Sequence, residues 1–108
     1  VKVRRYMPFE RHTHGMHFDL QALVTAVISL NSYGVDFEGG LYVSTGTTRE
    51  FVALQQGDAV FHQSDLLHGV NVTSGRRWSW ILWFQNSTSC SADPTAWYNG
   101  WQRRDLCC

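Results

Sequence analysis

The residues best suited to chemistry in this chain are two histidines, one aspartate and one arginine. A single residue separates His17 from Asp19, and His68 follows 49 residues after the aspartate. Two imidazoles and one carboxylate can hold a ferrous ion on one face and leave its other positions open for a co-substrate and dioxygen. Arg77 comes nine residues after His68. It could bond the far carboxylate of a dicarboxylate that is chelated to the ion through its keto-acid end.

The elements that must position these residues are strands, because the hydrophobic pattern has a period of two. Residues 23–30 are apolar and β-branched enough for a central strand, whereas Gly39-Gly40 are expected to form a turn. Shorter alternating runs lie at 1–4, 41–44, 49–54, 59–61, 68–73 and 77–84. We therefore predict an all-β domain of seven or eight short strands, arranged as a sandwich or barrel.

Strand geometry explains how distant residues could share one ion. Residues i and i+2 of a strand point to the same side, so His17 and Asp19 should both face the ion while Phe18 turns into apolar packing. The third ligand must then come from a neighbouring strand, and His68 begins such a strand. Metal affinity should fall in acid, because protons compete with the metal for each imidazole.

The same reasoning separates two adjacent arginines at the start of the last strand. Arg77 and Arg76 should point to opposite faces. A buried arginine needs an anion, since an unpaired desolvated charge is costly, and this favours Arg77 as a carboxylate anchor. Its plainer interpretation is a strand-edge charge paired with a surface carboxylate. In the same strand we expect Trp78, Trp80 and Trp83 to pack mainly in the core.

Length and composition fit one small domain. The 108 residues include 44% hydrophobic and 14% aromatic residues. Nine basic and nine acidic residues cancel, which gives no electrostatic case for nucleic acid or an anionic membrane. No apolar run is long enough for a transmembrane span. Three cysteines, Cys90, Cys107 and Cys108, make no disulfide framework and have no assigned role.

We place the domain core at residues 1–86 and a C-terminal extension, which could be truncated, at 87–108. The extension holds the one candidate helix, with Asp93 as its N-cap and Pro94 at its first position. Neither the compartment nor the oligomeric state follows from these features.

Several motifs in order give the chain a family resemblance. They are Tyr6, His17-Phe18-Asp19, residues 24–31, Phe37-Glu38-Gly39-Gly40, Gly57-Asp58-Ala59, His68-Gly69-Val70, Gly75-Arg76-Arg77-Trp78 and Trp83-Phe84. Together they resemble the catalytic domain of the prolyl 4-hydroxylase branch of Fe(II)/2-oxoglutarate dioxygenases. The resemblance covers about residues 1–84.

This resemblance implies a double-stranded β-helix, or jelly roll. It also implies hydroxylation of a substrate C–H bond coupled to decarboxylation of 2-oxoglutarate, with Fe(II), O2 and ascorbate as the further requirements. His17, Asp19 and His68 fall on the family's iron ligands, and no catalytic residue is expected beyond this metal site. Arg77 falls on the 2-oxoglutarate anchor, and Tyr6, Thr25 and Ser29 fall on positions that line the co-substrate pocket. Trp83 falls near the peptide substrate, which is expected to contain proline.

Two alternatives stay open at this point. A cupin-type metalloprotein has the same barrel architecture, and His12-Thr13-His14 would begin its metal motif. That interpretation leaves Arg77 without a role, and we expect His12 and His14 to be exposed loop residues. The other alternative is a non-catalytic β-barrel binding module. Tyr6 would then be ordinary barrel packing, and Thr25 and Ser29 would only fill space.

Overall fold

The computed structural model describes residues 1–85, which form eight strands and no helix. The strands are β1 Lys2–Tyr6, β2 Thr13–His17, β3 Val24–Ser29, β4 Phe37–Thr45, β5 Thr48–Val52, β6 Ala59–Gln63, β7 Leu67–Gly75 and β8 Arg77–Phe84. Within these residues no helix is long and apolar enough to cross a membrane. The candidate helix and the extension at 87–108 lie outside the described residues.

The strands form two four-stranded antiparallel sheets. The first sheet has the order β1-β8-β3-β6, and the second has the order β2-β7-β4-β5. Consecutive strands therefore often belong to different sheets, as happens when two sheets wind together around one core. The predicted all-β jelly roll is confirmed.

Strand β3 is a central strand, as its composition predicted. Val24–Ser29 lies between β6 and β8, and Thr25, Ala26, Val27 and Ser29 are all buried. Its β-branched and small residues suit a position with neighbours on both edges. The strand carries Thr25 to the site described below.

Strand β8 has an unusual distribution of polarity between its two faces. Arg77 and Ser79 point inward and are 1% and 0% exposed. Trp78 and Trp80 point outward and are 37% and 39% exposed. The expectation that these two tryptophans pack in the core was wrong: they lie on the outward face of β8, and the inward positions of the strand line a cavity. Arg76 is exposed, so the two arginines face opposite ways as predicted.

The glycine pair in β4 has a different role from the predicted turn. Gly39 and Gly40 lie inside the strand, where the pairing with β7 shifts register, and their φ angles are 79° and 131°. A Cβ atom on Gly39 would collide with the backbone carbonyl oxygen of Asn71. The glycines therefore make a β-bulge within β4, and the strand is longer than the predicted run at 41–44.

Candidate active site

The antiparallel pairing of β2 with β7 brings the two distant histidines together. His17 and His68 are direct partners in the register, and their ring centroids lie 4.3 Å apart. Asp19 completes the group from the segment that follows β2. Its Oδ1 lies 3.3 Å from His17 Nε2, and its Oδ2 lies 3.5 Å from His68 Nε2. One ligand atom from each residue lies within 4.8 Å of the others, which places all three around one point.

The three residues meet as predicted, but the prediction that His17 and Asp19 lie on the same strand was wrong. Strand β2 ends at His17, so Asp19 lies two residues beyond it rather than on the strand itself. Phe18 is 47% exposed and lines the cavity, where we had expected it in apolar packing. The carboxylate reaches the histidines because the chain turns at this point, and alternation along a strand does not account for it.

Backbone carbonyls orient both imidazoles of the group. His17 Nδ1 lies 2.7 Å from Gly15 O, and His68 Nδ1 lies 2.9 Å from Leu66 O. A carbonyl can only accept, so each Nδ1 carries the proton and donates it. Because Nδ1 of each ring is used in this way, Nε2 is the nitrogen that faces Asp19 and would bind a metal after losing its proton. Without a metal, His17 Nε2 carries a proton and donates it to Asp19 Oδ1.

Hydrogen bonds keep the Asp19 carboxylate ionised in a buried position. Burial by itself raises the pKa of Asp19, but hydrogen bonds from His17 and Thr25 outweigh it and hold the pKa at about 2. Thr25 Oγ1 donates to Asp19 Oδ2 over 2.8 Å and is fully buried. The bond to Asp19 raises the pKa of His17, whereas burial lowers that of His68. Asp19 therefore stays ionised at neutral pH and can serve as a negatively charged metal ligand.

A further histidine lies behind the carboxylate, and sequence reasoning missed it. His62 is buried on β6 as the cross-strand partner of Thr25, and its Nε2 lies 3.8 Å from Asp19 Oδ2. That nitrogen has no hydrogen-bond partner, and the ring centroid lies 4.3 Å from that of His68. The predicted strand at 59–61 ended one residue before His62, whereas β6 runs to Gln63. Continuing its alternation would have shown that His62 shares the inward face of Val60.

The structure treats the two extra histidines near β2 differently. His12 is exposed and lies outside the strands, as expected. The expectation for His14 was wrong: it belongs to β2, its ring stacks on His17 at 3.9 Å, and its Nδ1 lies 3.5 Å from the Tyr6 hydroxyl. Burial, with nearby positive charges, lowers the pKa of His14 to about 4, so this ring is neutral at pH 7. The cupin alternative needs the His12-Thr13-His14 motif to bind the metal. Among the described residues, neither of these histidines belongs to the metal-ligand group of His17, Asp19 and His68.

A cavity of about 260 Å³ opens beside the group between the two sheets. It is lined by Lys2, Arg4, Tyr6, His14, His17, Phe18, Asp19, Gln21, Val27, Leu41, His68, Val70, Arg77, Ser79, Ile81 and Trp83. The inward residues of β1 and β8 supply one wall, and the ends of β2 and β7 supply the ligand group.

Arg77 is the most unusual residue of this cavity. Its side chain is 1% exposed, and its Nη1 donates to Ser79 Oγ over 3.3 Å. Its Nη2 has no partner, and no carboxylate among the described residues pairs with it. Burial lowers the pKa of Arg77 to about 10, so the guanidinium stays charged at neutral pH. A buried cation without an anion is costly, which indicates a place for an anionic ligand.

The other residues predicted to bind ligands divide into two groups. Tyr6 and Trp83 line the cavity, and Tyr6 is the direct β1 partner of Arg77. Thr25 and Ser29 do not line it. Thr25 instead holds Asp19, and Ser29 donates to the Asn31 carbonyl over 2.8 Å.

The donor set fits a ferrous ion with a dicarboxylate beside it. Two imidazole nitrogens and one carboxylate oxygen on one side of a cavity are a ligand set that Fe(II) accepts. Arg77, whose Nη2 is unpaired among the described residues, lines the same cavity, and its guanidinium suits a carboxylate.

Comparisons with known proteins agree with this fold and with the family resemblance of the motifs. The family model of the 2OG-Fe(II) oxygenase superfamily matches residues 1–85. The chain therefore belongs to the 2OG-Fe(II) oxygenase superfamily, which confirms the resemblance at the level of the family. The family implies Fe(II), 2-oxoglutarate and O2 as the reactants that the site would hold.

Two individual proteins are similar over part of the chain. A PKHD-type hydroxylase of Psychrobacter sp. (strain PRwf-1) is 37% identical over 75 residues, which are 65% of this chain and 29% of that protein. The crystal structure of the non-heme alpha ketoglutarate dependent epimerase SnoN from nogalamycin biosynthesis matches with a TM-score of 0.60 at 21% identity. That match covers 73% of this chain and 42% of the other. The chain thus spans less than half the length of either protein, and the epimerase supports the fold alone.

Proposed function

We propose that this domain is the catalytic core of an Fe(II)- and 2-oxoglutarate-dependent hydroxylase. The observation that carries the proposal is Arg77, a buried cation with an unpaired nitrogen, in the same cavity as the His17, Asp19 and His68 group. A metal site by itself would fit many proteins. A metal site that shares a cavity with an unpaired buried arginine fits one whose co-substrate is a dicarboxylate.

Each residue of the site has a specific task in this proposal. His17, Asp19 and His68 would hold the iron, and Thr25 would keep the carboxylate in place. Arg77 would bind the far carboxylate of 2-oxoglutarate with Tyr6 beside it. The buried walls would exclude water from the reacting atoms. When bound, Fe(II), 2-oxoglutarate and O2 would supply the oxidation: one oxygen atom of O2 would enter the substrate C–H bond and the other would enter succinate, while the keto-acid carboxylate of 2-oxoglutarate leaves as CO2.

Peptidyl proline is the substrate class that we propose within this function. The support is the resemblance of the ordered motifs to the prolyl 4-hydroxylase branch and the partial similarity to a PKHD-type hydroxylase. Trp83 lines the cavity and offers an apolar ring to a proline-containing peptide. Ascorbate is proposed as the reductant that keeps the iron ferrous.

The test has two steps. The purified protein is incubated with Fe(II), ascorbate and 2-oxoglutarate, and succinate is measured without and with proline-rich peptides. We expect slow succinate formation without peptide, faster formation with a suitable peptide, and a one-oxygen mass gain on that peptide.

Absence of both succinate and ferrous binding would overturn the enzyme assignment and favour the non-catalytic binding module. Succinate without any mass gain on the peptides would overturn only the proline substrate.

A further inference from the structure

Two cations besides Arg77 line the cavity, and no described acidic residue pairs with either of them. Lys2, Arg4 and Tyr6 alternate along β1, so their side chains point to the same inward face, and all three line the cavity. Tyr6 is buried, Arg4 is half-buried and Lys2 is exposed, which orders them from the floor of the cavity to its mouth. In the part of the chain that the structure describes, neither Lys2 nor Arg4 forms a salt bridge.

These two charges remain uncompensated when the proposed reactants are counted. Among residues 1–85, Asp19 is the only acidic residue that lines the cavity. The charges of Fe(II) and of the 2-oxoglutarate dianion cancel, and the charges of Asp19 and Arg77 cancel as well. Lys2 and Arg4 then leave two positive charges in the part of the cavity that remains for the substrate.

Trp83 adds an apolar surface near the same place. Trp83 lines the cavity, and Lys2 Nζ lies 5.8 Å from the centroid of its ring. The mouth of the cavity therefore offers two cations and an aromatic ring.

We propose that the substrate carries a carboxylate and that Lys2 and Arg4 hold this carboxylate at the mouth of the cavity. The Trp83 ring packs against the carbon skeleton beside it. This inference rests on the proposed function and narrows its substrate class to acidic molecules. The carboxylate can belong to an acidic side chain next to proline in a peptide, or to a small molecule.

Matched pairs of probes test the inference. One pair is a proline-containing peptide with Glu or Gln beside the proline, and the other is N-acetylproline or its carboxamide. Binding is measured without oxygen, in the presence of Fe(II) and 2-oxoglutarate, so that no turnover occurs. We expect the acidic member to bind about five-fold or more tightly at low salt, and the preference to shrink at high salt because the charges are screened. The pair that shows the preference identifies the source of the carboxylate.

Three variants locate the preference. Lys2→Gln and Arg4→Gln should each lower the ratio between acidic and neutral probes toward one. Arg76→Gln removes the same charge from an exposed position outside the cavity and should leave the ratio unchanged. Lys2 is exposed, so its substitution tests the inference even where Arg4→Gln impairs folding.

The outcomes separate this inference from the proposed function. Equal binding of both members, or no binding of any probe, overturns the acidic substrate class, while succinate formation without substrate would leave the proposed function in place. A rise in the 2-oxoglutarate dissociation constant of Arg4→Gln with an unchanged probe ratio would assign Arg4 to the co-substrate and also overturn the inference. Loss of ferrous binding and succinate in the unsubstituted protein overturns the proposed function itself.

Discussion

Substitution of Arg77 by methionine should affect co-substrate binding and protein stability in opposite directions. Methionine keeps an unbranched chain of similar reach and removes the charge. The side chain of Arg77 is 1% exposed, donates one long bond to Ser79 and leaves Nη2 without a partner. In the absence of 2-oxoglutarate this residue is a cost to the fold, and in its presence it is the proposed anchor.

The sizes of both effects, on the 2-oxoglutarate requirement and on the free energy of unfolding, follow from the hydrogen bonds that are gained and lost. A hydrogen bond to a charged group contributes about 1.5–3 kcal/mol, so two parallel bonds to one carboxylate contribute about 3 kcal/mol or more. Their loss should raise the 2-oxoglutarate concentration needed for half-maximal succinate formation roughly a hundred-fold or more. Removing the unsatisfied buried donor Nη2 should stabilise the ligand-free variant by about 1–3 kcal/mol. Losing the hydrogen bond to Ser79 should destabilise it by about 1 kcal/mol. The ligand-free variant should therefore be more stable by about 1 kcal/mol, or roughly 4 °C in Tm.

Two measurements on the same samples check this prediction. Succinate formation is followed against 2-oxoglutarate concentration, and thermal unfolding is followed with and without 2-oxoglutarate. Saturating co-substrate should stabilise the unsubstituted protein and should have little effect on Arg77→Met, because a ligand stabilises only the state that binds it. Arg76→Met is the control, since Arg76 is exposed and should change neither property.

An unchanged 2-oxoglutarate requirement in Arg77→Met would refute its role as the anchor. A ligand-free variant that is several kcal/mol less stable would show instead that Arg77 is a structural residue whose partner lies within the protein.

Three further predictions concern the site and the sheet that carries it. Asp19→Ala should abolish ferrous binding and succinate formation, since it removes a charged ligand; retention of stoichiometric ferrous binding in a calorimetric titration would contradict this. Thr25→Val should weaken ferrous affinity about ten-fold or more by removing the hydrogen bond to Asp19. Ser29→Ala is the matched control, because Ser29 is equally buried on the same strand but donates to the Asn31 carbonyl. An equal loss of ferrous affinity in both variants would argue against a specific role of Thr25. Gly39→Ala should destabilise the fold by about 1 kcal/mol or more, since its φ is 79° and a Cβ would meet the Asn71 carbonyl; a denaturant midpoint that does not fall would contradict this.

The sequence predicted well wherever local geometry decides the outcome. The period of two along the chain identified most strands, because side chains alternate between faces of any strand. The same alternation placed Arg77 inward and Arg76 outward once one of them was taken as buried. His17, Asp19 and His68 predicted a metal site only together with the ordered motifs around them, since two imidazoles and a carboxylate at such a spacing also occur by chance.

The sequence predicted poorly wherever the outcome depends on which face of a sheet is covered. Trp78 and Trp80 are large aromatic residues, and such residues commonly dominate cores, so their type placed them in the core. They are partly exposed because they lie on the outward face of β8, whereas its inward face lines the cavity. His14 was expected in a loop, and it stacks on His17 because β2 begins earlier than the pattern indicated.

The sequence by itself determined the kinds of ligand atoms, the all-β class and the family. The tertiary structure decided their surroundings: the pairing of β2 with β7 set His17 beside His68, and the pairing of β3 with β6 set Thr25 and His62 behind Asp19. It also left Arg77 buried with an Nη2 that pairs with no described residue, and aligned Lys2 and Arg4 along the cavity. The physical reason is that alternation is a property of each strand alone. Which strands become neighbours depends on contacts between residues far apart in the chain, and no local pattern encodes these contacts.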